Sequence, residues 1–247
     1  MLYHLDLHVH SDASPDGRHG LDALARAAAR KGLNGLAVAD HNRFTLTEPE
    51  TRHGVLLLPA CEFSTQEGFH LLALFCREPV PIPATSAPLA FLSAEIRRRG
   101  GLAVLAHPYA GSSGPPEDLA SVLDGVETAN ARACFHRRDA NRLAEDYGAR
   151  HRLFFTGGSD AHSWKEVGGC YTQVDADGPE ALRDALAAGA GSPVLVQLTP
   201  RRYKGLSQWK KALRQRSFPR LLRAGLYVGY CFALDLWKPQ GRNERSE

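Results

Sequence analysis

The chain has 247 residues, of which 43% are hydrophobic and 23% are charged, a composition typical of globular proteins. Gly and Pro are too few and too dispersed for a fibrous or disordered chain, and no period of about 20 to 50 residues recurs, which excludes collagen-like and repeat architectures. The net charge of +3 conceals a division, because residues 201–247 contain 12 Lys and Arg against 3 Asp and Glu whereas the first 200 residues are acidic overall.

The amino terminus and the cysteines indicate the compartment. The first ten residues, MLYHLDLHVH, place His and Asp where an export signal has a basic region followed by an unbroken apolar run, so we expect a cytoplasmic protein. The five cysteines are odd in number, lie far apart and form no CxxC pair. This pattern predicts reduced thiols rather than a disulfide framework or a thiolate zinc site.

Strand and helix patterns alternate along the first 200 residues. Residues 2–10 alternate strictly, with four apolar side chains on one face and His4, Asp6, His8 and His10 on the other. Helical spacing in residues 21–31 is followed by a buried strand that ends at Asp40. Further strands are predicted at residues 55–58 running on towards residue 62, and at 69–75, 102–106, 126–129, 153–156, 171–174 and 194–198. Further helices are predicted at residues 88–99, 117–123, 134–147 and 179–188.

This alternation predicts a mostly parallel α/β sheet, either open or closed into a barrel. No GxGxxG or GxxxxGK[ST] turn follows any strand, so the nucleotide-binding forms of the open sheet lack their signature. Potential metal ligands instead cluster where strands end, and the carboxyl ends of barrel strands form a single active face. We therefore predict a barrel, with residues 55–62 and 69–75 forming an antiparallel hairpin that returns His70 to the rim near Glu62.

His8 and His10 are two residues apart on one strand, so both imidazoles project from the same face and could bind one ion. Alone, such a pair is also typical of a solvated strand face. In a barrel we expect the face that carries His4, Asp6, His8 and His10 to line the interior. Four polar groups in that position need an ion or another partner.

Five short segments, HVHSDASPDG, ADH, EFSTQEGFHLLAL, AHP and GSDAH, occur in this order between residues 6 and 162. In these segments the chain resembles the PHP (polymerase and histidinol phosphatase) superfamily of metal-dependent phosphoesterases. The resemblance implies a distorted (β/α)7 TIM-like barrel, which we place at residues 1–200, and a centre of three metal ions. It implies one ion held by His8, His10, Glu62 and Asp160, a second by Glu62, His70 and His107, and a third by Asp16, His41 and His162. Within this set we assign catalytic roles to Glu62, Asp160 and His162.

Imidazole and carboxylate ligands without thiolate favour Zn²⁺, Mn²⁺ or Fe²⁺ over Cu(I) and discriminate poorly among the three, so the metal stays open. We expect Asp6 and Asp40 to orient the histidines without binding metal themselves, since a ligating imidazole donates its other ring N–H to an acceptor. For Asp40, a helix cap is an equal alternative. Asn130, Arg132 and His136 follow the strand at residues 126–129 and could reach a phosphate. Asn130 is the best placed, at the end of the strand, whereas solvated surface positions explain Arg132 and His136 as well.

These features predict a hydrolase that cleaves a small phosphomonoester or phosphodiester, similar to histidinol-phosphatase-like enzymes. In the family that the chain resembles, nucleoside bisphosphate phosphatases and related exonucleases carry a large insertion between the AHP and SDAH segments. Here only 53 positions separate His107 from Asp160, and the resemblance therefore implies a small or accessible substrate. A metal-dependent amidohydrolase is the rival enzyme class. It is disfavoured because the bridging position falls on Glu62 and because Asp16 and the SDAH segment supply a third site. A noncatalytic adaptor is the remaining alternative.

The basic segment of residues 201–247 leaves three alternatives open. It could form a terminal helix that packs Leu221, Leu222, Leu226 and Tyr230 on the barrel. It could instead attach the protein to an anionic membrane surface, or bind nucleic acid. Its apolar part, residues 224–237, is too short to span a bilayer, which needs about 20 apolar residues.

Overall fold

The computed structural model describes residues 1–83 and 85–237. Within these residues the strands are β1 (Leu2–Val9), β2 (Gly35–His41), β3 (Glu50–Arg52), β4 (Val55–Ser64), β5 (His70–Leu74), β6 (Leu102–Ala106), β7 (Gly125–Asn130), β8 (Phe154–Gly158), β9 (Cys170–Asp175) and β10 (Gly191–Leu195). The helices are α1 (Leu21–Arg30), α2 (Leu89–Arg98), α3 (Ala140–His151), α4 (Leu182–Ala187), α5 (Arg201–Arg214) and α6 (Phe218–Trp237).

The strands form one sheet in the order β10-β9-β1-β2-β4-β5-β6-β7-β8, with β3 paired to β4. Two runs, β1-β2-β4 and β6-β7-β8, are parallel, while β5, β9 and β10 pair antiparallel with their neighbours. Because the outer strands β8 and β10 lie against each other, the sheet nearly closes. The predicted α/β fold, a distorted TIM-like barrel, is confirmed.

The predicted hairpin between β4 and β5 is also confirmed. Ser64 pairs with His70 and Glu62 pairs with Leu72, in antiparallel register. On its other side β5 pairs antiparallel with β6, and His70 lies opposite Ala106, the residue before His107. The reversed strand therefore begins at the rim where its neighbours end, and this places His70 among the other candidate ligands.

The barrel interior contains an apolar layer below the polar rim. Inward positions on seven strands form one buried cluster that includes Leu5, Leu7, Ala39 and Ala60. The prediction that His4 and Asp6 share the interior face with His8 and His10 was therefore wrong, because Leu5 and Leu7 occupy that face. The pairing of β1 with β2 shifts between Asp6 and Val9. Beyond this irregularity Val9 packs outward with α1, so that His8 and His10 point inward.

Several elements differ from the predictions in their bounds or type. Helix α3 begins at Ala140 rather than at residue 134, because the side-chain amide of Asn141 bonds both the backbone N–H and the carbonyl of Asn130 and closes a loop between them. The predicted helix at 117–123 is a short 3-10 helix, Glu117–Val122. Strand β10 ends at Leu195 rather than at residue 198, because the next two backbone N–H groups both donate to the carbonyl of Gly169.

Helices α5 and α6 pack against each other beside the rim of the barrel. The alternative in which Leu221, Leu222, Leu226 and Tyr230 pack on the barrel was wrong for the last three, whose side chains are exposed, while Leu221 is half-buried. Among the described residues, the structure contains no helix with the length and apolarity needed to cross a bilayer.

Candidate metal centre

The carboxylate of Glu62 is at the centre of the rim. It is 1% exposed and lies among five imidazoles, those of His8, His10, His41, His70 and His107. Oε1 is 2.8 Å from Nδ1 of His70 and 3.0 Å from Nε2 of His107. Oε2 is 2.7 Å from Nδ1 of His41 and 3.4 Å from Nε2 of His10. Burial alone would raise the pKa of Glu62, but the charges of the surrounding histidines outweigh it and hold that pKa well below its ordinary value.

Asp160 follows β8 and faces the imidazoles of His8, His10 and His162. Its backbone adopts a left-handed φ of 53°, which turns the side chain towards the rim. Oδ1 is 3.3 Å from Nε2 of His10, 3.8 Å from Nε2 of His8 and 3.5 Å from Nδ1 of His162. Burial opposes ionisation, but the charge of His8 and the hydrogen bond with His10 lower the pKa of Asp160 well below its usual range.

Asp16 lies on the loop after β1 and forms a third group with His41 and His162. Its Oδ1 is 3.5 Å from Nε2 of each histidine. Burial alone would raise the pKa of Asp16, yet the adjacent imidazoles of His162 and His41 hold it far below the ordinary value. The three residues come from separate loops and strands, so the fold brings together positions 16, 41 and 162.

The unsatisfied atoms of the site fit bound cations. Asp16 Oδ1 and Glu62 Oε2 are buried and make no hydrogen bond of acceptable geometry within the described part of the chain, although imidazole nitrogens lie near both. Buried oxygens without partners are costly, and a divalent ion would satisfy them. Burial and the charges of His162 and His41 lower the pKa of His10 to about 3, so this imidazole is neutral and its nitrogen can act as a ligand.

A buried carboxylate that the sequence analysis missed forms hydrogen bonds with two of the histidines. Glu127 is on β7, where its Oε1 lies 3.1 Å from Nδ1 of His8. Its Oε2 accepts a hydrogen bond of 3.0 Å from the backbone N–H of His107 and one of 2.9 Å from Nδ2 of Asn130. A proton on Nδ1 of His8 leaves Nε2 free to bind a metal. The sequence signal was a carboxylate between Val126 and Thr128 within a predicted strand.

Asp40 and Asp6 both stabilise the loops of the site, in different ways. Asp40 accepts hydrogen bonds from the hydroxyls of Ser11 and Ser14, and Ser14 Oγ is in turn 3.2 Å from Nδ1 of His10. Asp40 therefore reaches a histidine through one serine. The carboxylate of Asp6 contacts backbone amides instead, accepting from Ser159 N and Gly168 N at 2.8 Å each. It anchors the loop that carries Asp160 and His162.

The rim opens into a cavity of about 360 Å³. Its lining includes the candidate ligands Asp16, His41, Glu62, His70, His107, Asp160 and His162, together with Arg132, Lys204 and Gln208. Asn130 and His136 do not line it, because Asn130 is fully buried with its amide bonded to Glu127, and His136 is at the surface beside Phe135.

Arg132 is held in position from two sides of the cavity. Its Nε forms an ion pair with Oε2 of the buried Glu166 at 2.9 Å, and Nη2 donates to Oγ of Ser207 on α5 at 2.9 Å. The same helix contributes Lys204, whose ammonium lies 4.7 Å from the centre of the Phe135 ring. Burial, and then the charge of Arg132, lower the pKa of Lys204. No local pattern marked Lys204 or Gln208, because only the packing of α5 on the rim places them there.

The sequence matches two domains of one family. It matches the PHP domain over residues 6–78 and the PHP-associated domain, PHP_C, over residues 138–190. The uncharacterized protein MJ1587 of Methanocaldococcus jannaschii is 30% identical over 148 residues, which cover 53% of this chain and 82% of that protein.

Solved structures share the fold at lower identity. A two-domain protein from Bacteroides vulgatus, which contains a predicted PHP-like metal-dependent phosphoesterase, is 18% identical with a TM-score of 0.60, over 79% of this chain and 65% of that one. The lesion-specific endonuclease EndoQ of Pyrococcus furiosus is 20% identical with a TM-score of 0.62, over 81% of this chain and 60% of that one. The two domain matches and the archaeal relative lead to one conclusion, with which the shared fold agrees: this chain belongs to the PHP family.

Proposed function

We propose that the protein is a phosphatase that hydrolyses a small phosphomonoester or phosphodiester at a centre of three divalent ions, each of them Zn²⁺, Mn²⁺ or Fe²⁺. One observation carries this proposal. Nine His, Asp and Glu side chains meet on one rim with Glu62 between them, and the same cavity contains two cations, Arg132 and Lys204. The metal-ligating groups and the groups suited to bind phosphate therefore share one space.

The proposed partition of ligands has support from the distances. Ligand atoms of His8, His10 and Glu62 lie within 4.8 Å of one another, and so do those of Glu62, His70 and His107. These groups correspond to a first and a second ion that share Glu62, with Asp160 completing the first. His41 and His162 also form such a group with His10, and Asp16 Oδ1 is 3.5 Å from both. We assign these two histidines and Asp16 to the third ion.

In the proposed mechanism, the bound ions supply Lewis-acid activation of the phosphate and of the attacking water. The catalytic roles assigned to Glu62, Asp160 and His162 rest on their places in this ligand set. Arg132, fixed by Glu166 and Ser207, binds phosphate oxygens and orients the ester for in-line attack. Lys204 offsets the negative charge that the phosphate brings.

We further propose that residues 1–200 form the catalytic barrel and that residues 201–247 form an appended element. The start of this element also serves the site, since Lys204 and Gln208 line the cavity and Ser207 holds Arg132. A wall supplied by α5 limits the size of the leaving group. This arrangement supports a small substrate.

The proposal is tested with protein reconstituted separately with Zn²⁺, Mn²⁺ and Fe²⁺. We expect two or three ions per chain by elemental analysis, and hydrolysis within a panel of phosphorylated metabolites that chelation abolishes and metal restores. A chromogenic phosphate is compared with an amide and a lactone. Hydrolysis of the amide or lactone alone would support the amidohydrolase alternative. At most one bound ion with every metal would refute the trinuclear centre, and an intact metal content without any hydrolysis would favour the adaptor.

A further inference from the structure

Helix α6 carries large apolar side chains on its solvent face. Phe218, Leu222, Leu226 and Tyr230 recur every four residues and are 78%, 59%, 71% and 56% exposed, and Trp237 continues the row at 85%. We call these five residues the apolar row. The opposite face of the helix contains the buried Ala224 and Cys231 and the carboxylate of Asp235. This distribution is the reverse of that in an ordinary surface helix, whose apolar face points to the core.

The orientation of α6 is fixed by its contacts with α5. Oδ1 of Asp235 accepts a hydrogen bond of 2.8 Å from the backbone N–H of Arg201, and Oδ2 accepts one of 2.9 Å from that of Arg202. These bonds provide an acceptor for two backbone N–H groups at the start of α5, where the helix itself supplies none. Farther along the pair, the ring of Trp209 lies against Gly225. Rotation of α6 to bury the apolar row would break these contacts.

Helix α5 is fixed in turn to the barrel. Besides the bond between Ser207 and Arg132, the guanidinium of Arg214 donates to the carbonyls of Ser14 and Asp12 at 2.5 and 2.7 Å. Helix α5 therefore joins α6 to the barrel, and the ring of Tyr227 on α6 also lies 6.3 Å from that of Phe135. The apolar row is on the solvent side of α6, away from these contacts.

Cations lie beside the apolar row, on the side of α6 that borders the cleft with α5. Residues 201–223 contain nine Lys and Arg and no acidic residue. Arg220 and Arg223 are exposed on α6 and, with Lys211 of α5, line a cleft of about 480 Å³ between the two helices. A surface that combines exposed Leu, Tyr and Trp with flanking Arg and Lys matches the requirements of an interfacial helix.

We propose that the apolar row binds the surface of an anionic lipid bilayer. The five apolar side chains enter the boundary between headgroups and acyl chains, while Arg220 and Arg223 contact the headgroup phosphates. A second copy of the chain fits less well, because it would bring two sets of nine cations together. Residues 238–247 contain a single apolar side chain, that of Pro239, which is too little to cover the row. This proposal is independent of the catalytic one.

The test is sedimentation of the full chain with vesicles of phosphatidylcholine, alone or mixed with phosphatidylserine. We expect pelleting with the mixed vesicles that weakens as the salt concentration rises. Replacement of both Leu222→Ser and Leu226→Ser should lower the partition coefficient at least ~10-fold. Replacement of Arg220→Gln and Arg223→Gln should lower it roughly fivefold per residue, on the anionic vesicles only.

The matched control is Phe91→Ser, since Phe91 is also a large exposed apolar residue but lies on α2. It should bind vesicles as the unchanged protein does. The proposal is overturned if the unchanged protein does not pellet with anionic vesicles, or if Phe91→Ser weakens binding as much as the leucine pair. It is also overturned if light scattering shows a dimer that the leucine pair abolishes, or if only a single-stranded oligonucleotide is bound.

Discussion

Replacement of Glu127 tests whether its hydrogen bonds keep His8 and His107 in the state that binds metal. Replacement by Gln keeps the shape of the side chain but leaves it one acceptor oxygen. If that oxygen takes the place of Oε2, it keeps the bonds from the His107 amide and from Asn130. The new NH₂ group then faces Nδ1 of His8, which has to act as an acceptor. The proton of His8 moves to Nε2, the nitrogen that faces Glu62 and Asp160, and this nitrogen can no longer bind a metal.

The size of the effect follows from the bonds involved. The opposite placement of the amide preserves the tautomer of His8 but points NH₂ at two buried donors, which costs about 1 to 3 kcal/mol per unsatisfied group. The first placement is therefore favoured, and it costs about 1.4 to 2.7 kcal/mol of metal binding, equivalent to a roughly 10- to 100-fold loss of metal affinity. We expect the loss in the first two ions, since His8 and His107 belong to them in our assignment.

The assay is a competition titration of Zn²⁺ or Mn²⁺ against a chromophoric chelator, with thermal unfolding of the metal-free protein as a separate readout. Glu145→Gln, at an exposed position on α3, is the matched control and should leave the affinity unchanged. If Glu127→Gln bound metal within twofold of the unchanged protein, the argument from tautomer control would be refuted. A comparable loss in the control would equally remove any special role for Glu127.

Glu62→Gln removes the carboxylate that two ions share, so it should lower the metal content and reduce the turnover by about 10³-fold. Asp16→Asn should leave two ions bound. Equal metal contents of the two variants in elemental analysis would contradict our assignment of ligands to ions. A lysine at position 132 cannot keep the contacts of Arg132 with both Glu166 and Ser207. We therefore expect Arg132→Lys to lower kcat/KM ~10-fold with the metal content unchanged. Unaltered kinetics would exclude phosphate binding by this residue. Lys204→Gln should raise KM several-fold, which corresponds to a loss of about 1 kcal/mol of substrate binding. The control Lys210→Gln, on the same helix, should leave KM unchanged. An equal effect of both would show that overall charge, rather than a place in the cavity, matters.

The sequence by itself determined the elements and the order of the ligands. The alternation of residues 2–10 and the Ala-rich stretch at 21–31 encode local backbone preferences, which survive in β1 and α1. The short link at residues 65–69 allows only an antiparallel pairing, so the place of His70 beside Glu62 was predictable. The barrel then explains how residues 8 to 162 reach one rim, because strand ends converge whatever their distance along the chain.

Tertiary structure decided the remainder, because it depends on contacts between residues that carry no local signal for each other. The shift in register within β1 sets which face points inward, and this follows from how β2 packs beside it rather than from the alternation of β1. Lys204 belongs to the site only because α5 docks on Arg132. The exposure of the apolar row follows from the anchoring of the opposite face of α6, through Asp235 and Gly225, against α5. The same periodic sequence would describe a helix with either face outward, and only long-range packing chooses between them.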